Sequence, residues 1–299
     1  MYTDSNGNTA MEALVIGSGI SGLNVARTLV EAGWTVTLVD SGNEQGLAIA
    51  MVNPVRGRRG SVVPEAEMAL PLASRTYEKF VPLHRGVWRP VEPGLRAKWQ
   101  RKLADSAVAH EWHDGGVFLP EAFWVEARKL RKSMAAGLHR VCGRAVAWNA
   151  TSVRLANGKI LRADRVVWAA GAAGAHLAGA GGRFSAGSQL LVAQHFENAS
   201  ARGVYAAGNA LGGSYLPHSN HYTPHVTHHD EVAWILTKAR ELLGFTPTPV
   251  GVWSGVRWRT EGRYLYPRSG GGWAMGGFGS TAYLLAPLFA LRLAERLGD

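Results

Sequence analysis

The run Ala13–Ile16, followed at once by Gly17-Ser18-Gly19-Ile20-Ser21-Gly22, constrains this chain more than any other segment. A short apolar strand that breaks into a G-x-G-x-x-G turn and continues as an apolar-periodic stretch through Ala26 and Leu29 predicts strand, turn and helix. Gly33 follows as a helix terminator. The β-branched run Trp34-Thr-Val-Thr-Leu-Val-Asp40 then reads as a second strand parallel to the first, which completes a βαβ unit. The three glycines play distinct roles. Gly17 permits the tight turn, Gly19 lets a pyrophosphate approach the backbone, and Gly22 lets the helix pack on the strand. Ser18, Ile20 and Ser21 complete the turn at the helix N-terminus, where unsatisfied amides and the helix dipole favour an anion. Asp40, closing the second strand, is placed to accept from ribose hydroxyls, with Ser41 beside it. This pattern predicts a dinucleotide site but does not by itself separate NAD from FAD.

Composition narrows the class. One cysteine, Cys142, excludes an internal disulfide framework and a Cys-rich zinc site, so a reducing compartment is expected. A net charge of +10 favours anionic partners, among them a dinucleotide, a carboxylate substrate, a membrane surface or nucleic acid. The basic residues gather at Arg56, Arg58 and Arg59, from Arg96 to Lys102, and from Arg128 to Lys132; they are interleaved with apolar residues and read as solvated faces. The N-terminus carries no secretory pattern and no apolar stretch is long enough to span a bilayer, so a soluble, cytoplasmic protein is expected. The histidines at 218, 221, 225, 228 and 229 include one helical ligand spacing, His225 with His229. No carboxylate set accompanies them, and no metal is expected.

Further along, Glu121 to Ala136 reads as a helix with a basic face. Ser152 to Gly171 holds two short alternating runs around Asn157-Gly158, a type I′ hairpin signal, and then a buried strand, Val166 to Ala169. VYAAGN and GSYLP read as strands, Asp230 to Leu243 as an amphipathic helix, and VGVWSGVRW as another strand. GGWAMGGFGS predicts a strand and a Gly-rich turn that opens the closing helix. With no internal repeat and no linker, two interwoven domains are expected. Residues 11–80, 139–182 and 252–299 form a Rossmann-type nucleotide domain, and 81–138 and 183–251 a sheet-based substrate domain.

The βαβ unit, together with AMVNPVRGRRG, VVWAAG, SGVRW and GGFGSTAYLLAPLFA, resembles the D-amino-acid oxidase/glycine oxidase superfamily of flavoproteins. The resemblance implies an α/β fold with interleaved domains and FAD held noncovalently. It lays Ala50 to Pro54 along the flavin, with Met51 and Asn53 as contacts, sets Val146 over the adenine, and brings Ala170 and Gly171 near the ribose and phosphates. It brings the turn Gly277, Gly279, Ser280, Thr281, Ala282 and Tyr283 to the flavin pyrimidine, where a helix N-terminus offsets the negative charge of reduced flavin. It makes Arg257 the two-pronged anchor of a substrate carboxylate; Tyr215 is a candidate substrate hydrogen-bond donor. Cys142, distant in sequence from the last turn, is expected to be a buried inert thiol. The chain departs from the family pattern in its short length, which implies a reduced substrate domain, in Trp258 where Pro commonly follows the Arg, and in EGRYLY where Asp and Pro are usual.

The implied reaction is oxidation of a C–N bond in an amine or amino acid by hydride transfer to flavin N5. Two alternatives stand beside it: a tRNA-modifying flavoprotein acting on aminomethyl groups of wobble uridine, and a flavin-binding protein whose substrate domain is reduced.

Overall fold

The computed structural model describes residues 10–42, 46–201, 203–213, 216–268 and 272–298. Along the chain lie β1 (Glu12–Ile16), α1 (Ile20–Glu31), β2 (Thr35–Asp40), β3 (Ile49–Val52), β4 (Val55–Arg56), β5 (Ser61–Val62), α2 (Ala66–Glu78), β6 (His84–Pro90), α3 (Arg96–Ala104) and β7 (Glu111–His113). There follow β8 (Gly116–Glu126), α4 (Ala127–Ala135), β9 (His139–Cys142), β10 (Ala145–Trp148), β11 (Ser152–Leu155), β12 (Ile160–Arg162) and β13 (Arg165–Trp168). The chain closes with β14 (Arg183–Ala201), β15 (Val204–Gly212), α5 (His229–Leu243), β16 (Pro249–Arg259), β17 (Leu265–Pro267), β18 (Trp273–Met275) and α6 (Ala282–Gly298).

A six-stranded sheet in the order β17-β18-β13-β1-β2-β9 forms the first layer; all its pairs are parallel except β17 with β18. The two-residue period of β1 sorts its side chains between two cores. Ala13 and Val15 pack with Leu23, Leu29 and Leu293 of α1 and α6, while Leu14 and Ile16 pack with Val153 and Leu155 of the antiparallel sheet β10-β11-β12. Because both faces are covered, β1 is apolar in succession rather than alternating. The strands on either side of β1 belong to different chain segments, so the crevice beyond its C-terminal end is a topological switch point.

The second layer is a mostly antiparallel seven-stranded sheet. It runs β15-β14-β6-β8-β3, with β16 paired to β14 and β7 to β8. Strand β3 and, from Val252 on, β16 lie in segments that sequence allots to the nucleotide domain, and both pair in this sheet.

Several local expectations are corrected. Glu121 to Ala136 is not one helix: Phe123, Trp124 and Val125 belong to β8, paired on one side with β3 and on the other with β6, and α4 begins only at Ala127. Pairing on both edges outweighs the local helical pattern. The Asn157-Gly158 hairpin is not type I′, which needs positive φ at both central residues. Only Gly158 is left-handed, at φ +85°, and its N–H donates to Leu155 O at 3.0 Å, so the turn over Ala156 and Asn157 is followed by a glycine bulge. In GSYLP, Leu216 and Pro217 carry no strand. Cys142 is exposed rather than buried.

Candidate functional site

A cavity of about 1810 Å³ opens where the parallel strands end. It exceeds the few hundred to about 1,000 Å³ usual for a small-molecule pocket, which leaves room for a dinucleotide and a substrate together.

The turn after β1 forms one wall, and its glycines differ in kind. Gly17 has φ +106°, and a Cβ there would lie 2.6 Å from Ala169 O; a Cβ on Gly22 would lie 1.8 Å from Gly17 O. Both are glycine because backbone meets backbone. A Cβ on Gly19 would meet nothing within 4 Å, and Gly19 lines the cavity with Ser18, Ile20 and Ser21. Gly19 is also the N-cap of α1, which has no side-chain cap and no acid in its first turn. The donors at this helix end are therefore left for an anion, and the surface beside them is clear of side chains, as a pyrophosphate requires.

Around the rim, each parallel strand contributes its end. Asp40 closes β2 and Ser41 follows it. The Asp40 carboxylate accepts from the Gly42 N–H at 2.7 Å and from Arg140 Nη2 at 3.0 Å and Nε at 3.3 Å. Two carboxylate oxygens offer about four acceptor sites, so capacity remains for another donor. After β9 the chain turns through Gly143 and Arg144 into β10, where half-buried Val146 faces the cavity. After β13, Ala170 and Gly171 line it, Gly171 with φ +62°. After β18 come Gly277, Gly279, Ser280, Thr281, Ala282 and Tyr283, all lining residues. Gly277 takes φ +78° over Thr260, and the Thr281 hydroxyl donates to Phe278 O at 2.8 Å, which holds the single 3₁₀ turn that runs into α6. Burial pushes the Tyr283 phenol well up, so it stays protonated as a neutral donor at this helix end.

The seven-stranded sheet supplies the other wall. Met51 and Asn53 line it, and Asn53 Oδ1 accepts from the Val55 N–H at 2.9 Å, turning the chain out of β3. Half-buried Arg257 on β16 stands opposite Ser185 of β14 and lines the same cavity. Of the sequence-predicted residues, Gly22 lies behind the turn, and Tyr215 lies outside the described residues.

Three side chains of the site were not legible in the sequence. Arg131 on α4 donates through Nε to Ser18 O at 3.3 Å, placing a guanidinium beside the first glycine turn; sequence reads it as part of a solvated basic face. Arg140 on β9 holds Asp40 from a hundred positions away. Tyr205 on β15 lines the cavity, its hydroxyl 2.5 Å from Gln189 Nε2, and buried Gln189 in turn accepts from Ala48 N at 2.6 Å and donates to Ile49 O at 2.8 Å, locking β3 in place. The histidine cluster resolves differently from a helical pair, because α5 starts at His229 and His225 precedes it. His225 Nε2 instead meets Glu231 Oε2 at 2.8 Å with both side chains buried. Among the described residues, no three His, Cys, Asp or Glu side chains gather as a metal site requires. No helix among them is long and apolar enough to cross a membrane.

A parallel sheet with a clear, uncapped glycine turn at its switch point defines a dinucleotide-binding fold with a second sheet set against it. The chain belongs to the family described as FAD dependent oxidoreductase (DAO), whose profile matches residues 12–296, and FAD is its cofactor. It is similar in fold to glycine oxidase from Geobacillus kaustophilus, with a TM-score of 0.79 at 18% identity over 96% of this chain and 95% of that one. It is also similar to L-proline dehydrogenase from P. horikoshii (TM-score 0.75, 12% identity, 96% and 93% covered). A third is the fructosyl amine: oxygen oxidoreductase Amadoriase I from Aspergillus fumigatus (0.73, 16%, 97% and 87%). No curated protein matches the chain in sequence.

Proposed function

We propose that this flavoprotein oxidises the C–N bond of an amine or amino acid, and that Arg257 anchors the substrate by its carboxylate. The observation that carries this reading is the presence of Arg257, on a strand of the second sheet, in the same cavity as the glycine turns that fit FAD. Three of the fold neighbours, glycine oxidase, L-proline dehydrogenase and a fructosyl amine oxidoreductase, are named for substrates that carry an amine.

In this reading a noncovalently held flavin would supply the acceptor for the hydride on the carbon bearing nitrogen, and the imine released would hydrolyse. The chain's own residues bind, orient and desolvate. The α1 N-terminus, with Ser18, Gly19, Ile20 and Ser21, would hold the pyrophosphate; Asp40 and Ser41 would hold the ribose; Val146, Ala170 and Gly171 would flank the adenosine. Met51 and Asn53 would hold the isoalloxazine, and the turn Gly277 to Tyr283 would offer it backbone donors. Arg257 would fix the carboxylate in one plane and so hold the adjacent C–H in a constant orientation. No side-chain base is needed when the amine is already neutral.

Anaerobic mixing of the holoenzyme with amino acids, simple amines and tRNA, following loss of the flavin band, tests this. Bleaching by amino acids or amines supports the proposal. Bleaching by tRNA alone transfers the activity to a nucleic-acid side chain, and no bleaching by any of them leaves a flavin-binding protein without this activity. Reoxidation in air then separates an oxidase from a dehydrogenase.

A further inference from the structure

The cavity holds far more positive charge than the reading above uses. Eight arginines and Lys238 line it, against Asp40 and Glu92 as its only carboxylates among the described residues. Both are engaged: Asp40 by Arg140, and Glu92 by Arg58 at 2.6 and 3.1 Å. A pyrophosphate at the α1 end and one carboxylate at Arg257 would offset only part of this charge.

Three of the eight arginines stand on the hairpin β4-β5, which reads Arg56-Gly57-Arg58-Arg59-Gly60 from the end of β4. Its backbone is gripped from outside, carbonyl by carbonyl. Arg89 of β6 donates Nη1 to Val55 O and Nη2 to Gly57 O at 3.2 Å; Trp99 of α3 donates Nε1 to Arg58 O at 3.0 Å; Lys102 donates to Arg59 O at 3.0 Å. Gly60 packs so tightly that a Cβ there would lie 2.3 Å from the Trp99 ring. A loop held this way loses little entropy on binding, and it presents Arg56 and Arg59 to the cavity from a fixed base, with Arg58 turned to Glu92.

Arg89 is itself unusual. It is 5% exposed and lines the cavity, and beyond the backbone carbonyls it meets the Trp99 ring, 5.2 Å away. Its Nε is buried with no hydrogen-bond partner. Burial alone pushes this guanidinium down to about 10, with no neighbouring charge to offset the effect. A buried cation without an anion is costly, and two carbonyls use only part of a guanidinium's five donors.

We propose that the β4-β5 hairpin and Arg89 form a second anion subsite, so that the substrate is an amine carrying an acidic group, carboxylate or phosphate, besides the group held by Arg257. This inference rests on the amine-oxidation reading and names its substrate class. A planar fork of donors suits either acid, and a rigid loop sets the distance between the two anionic groups.

The test titrates the holoenzyme, at low ionic strength, with α,ω-diacids from malonate to adipate, the matching monoacids, and 3-phosphonopropionate. Binding is read from the shift of the flavin bands. At one chain length the diacid or the phosphonate binds roughly tenfold or more tightly than its monoacid, the range expected for a charged hydrogen bond, and added salt shrinks the advantage. The better of the two identifies the acid group. Arg59→Gln and Arg56→Gln reduce the advantage while leaving the monoacid's Kd in place; these variants are read alongside Arg89→Met, whose buried site can compromise folding. Equal Kd values for monoacids and diacids at every length overturn the subsite but leave amine oxidation standing, as does a preference that survives both loop variants. If no acid perturbs the flavin and no amine bleaches it, both readings fall. Displacement of the bound acids by tRNA, with no diacid preference, overturns the subsite in favour of a nucleic-acid surface.

Discussion

The two sheets meet the same cavity with different materials. The parallel sheet is buried on both faces: within β1, Leu14, Val15 and Ile16 are at most 4% exposed, and its strand ends offer mainly backbone to the cavity. In β16 of the antiparallel sheet most positions are only half-buried, and Trp253, Val256, Arg257, Trp258 and Arg259 line the cavity. A cofactor common to a family can be held by main-chain amides, whose positions follow from the fold. A particular substrate has to be told apart from its relatives, and that needs side chains, which can change without disturbing a core.

Substitution at the glycine turn tests this contrast most severely. Gly22→Val forces a side chain into Gly17 O and is expected to cost on the order of 4 kcal/mol of apoprotein stability, as for severe core strain. Gly19→Val, by contrast, meets only open space in the protein and should leave the apoprotein's unfolding midpoint nearly unchanged while flavin occupancy is lost. Denaturant unfolding of both apoproteins decides it; equal stabilities would mean that the two glycines do not divide packing from binding in this way.

On the other sheet, Arg257→Leu should weaken a carboxylate competitor such as benzoate by about 2–5 kcal/mol and leave flavin affinity unchanged. Arg257→Lys should recover only part of this, because an ammonium cannot make the two-pronged contact. Spectral titration with benzoate measures both. Unchanged benzoate affinity in the Leu variant would remove Arg257 from substrate binding and weaken the division between the sheets.

Asp40→Ala is expected to weaken FAD by about 1–3 kcal/mol, for loss of a charged hydrogen-bonding partner. Because Arg140 would then lack its ion-pair partner Asp40, the double variant Asp40→Ala/Arg140→Leu separates a ribose contact from a structural pair. If flavin titration gives the wild-type Kd for both, Asp40 serves only the strand. The smallest effect is expected at Cys142, whose thiol is exposed on the edge strand β9. Cys142→Ser should leave flavin content unaltered, and flavin should be released by acid precipitation from both proteins. Flavin retained in the wild-type pellet alone would reveal a covalent link.

What could be read from residues alone follows from local necessity. Gly17 and Gly277 sit at φ values that only glycine adopts readily, and Gly22 stands where backbones touch, so each requirement is written at its own position. The same holds for β1, whose burial on both faces needs consecutive apolar residues. Tertiary structure alone decided that Phe123 to Val125 are strand, since pairing partners at Val52 and Arg85 outweigh the local pattern. It also brought Arg131 to Ser18, Arg140 to Asp40 and Arg89 behind the hairpin loop. A long, flexible cation can reach any of several partners across the fold, and its residue type records charge but not destination. The basic runs therefore read as solvated faces in the sequence, and only the packing of α4, β6 and β9 turned three of their kind towards the site.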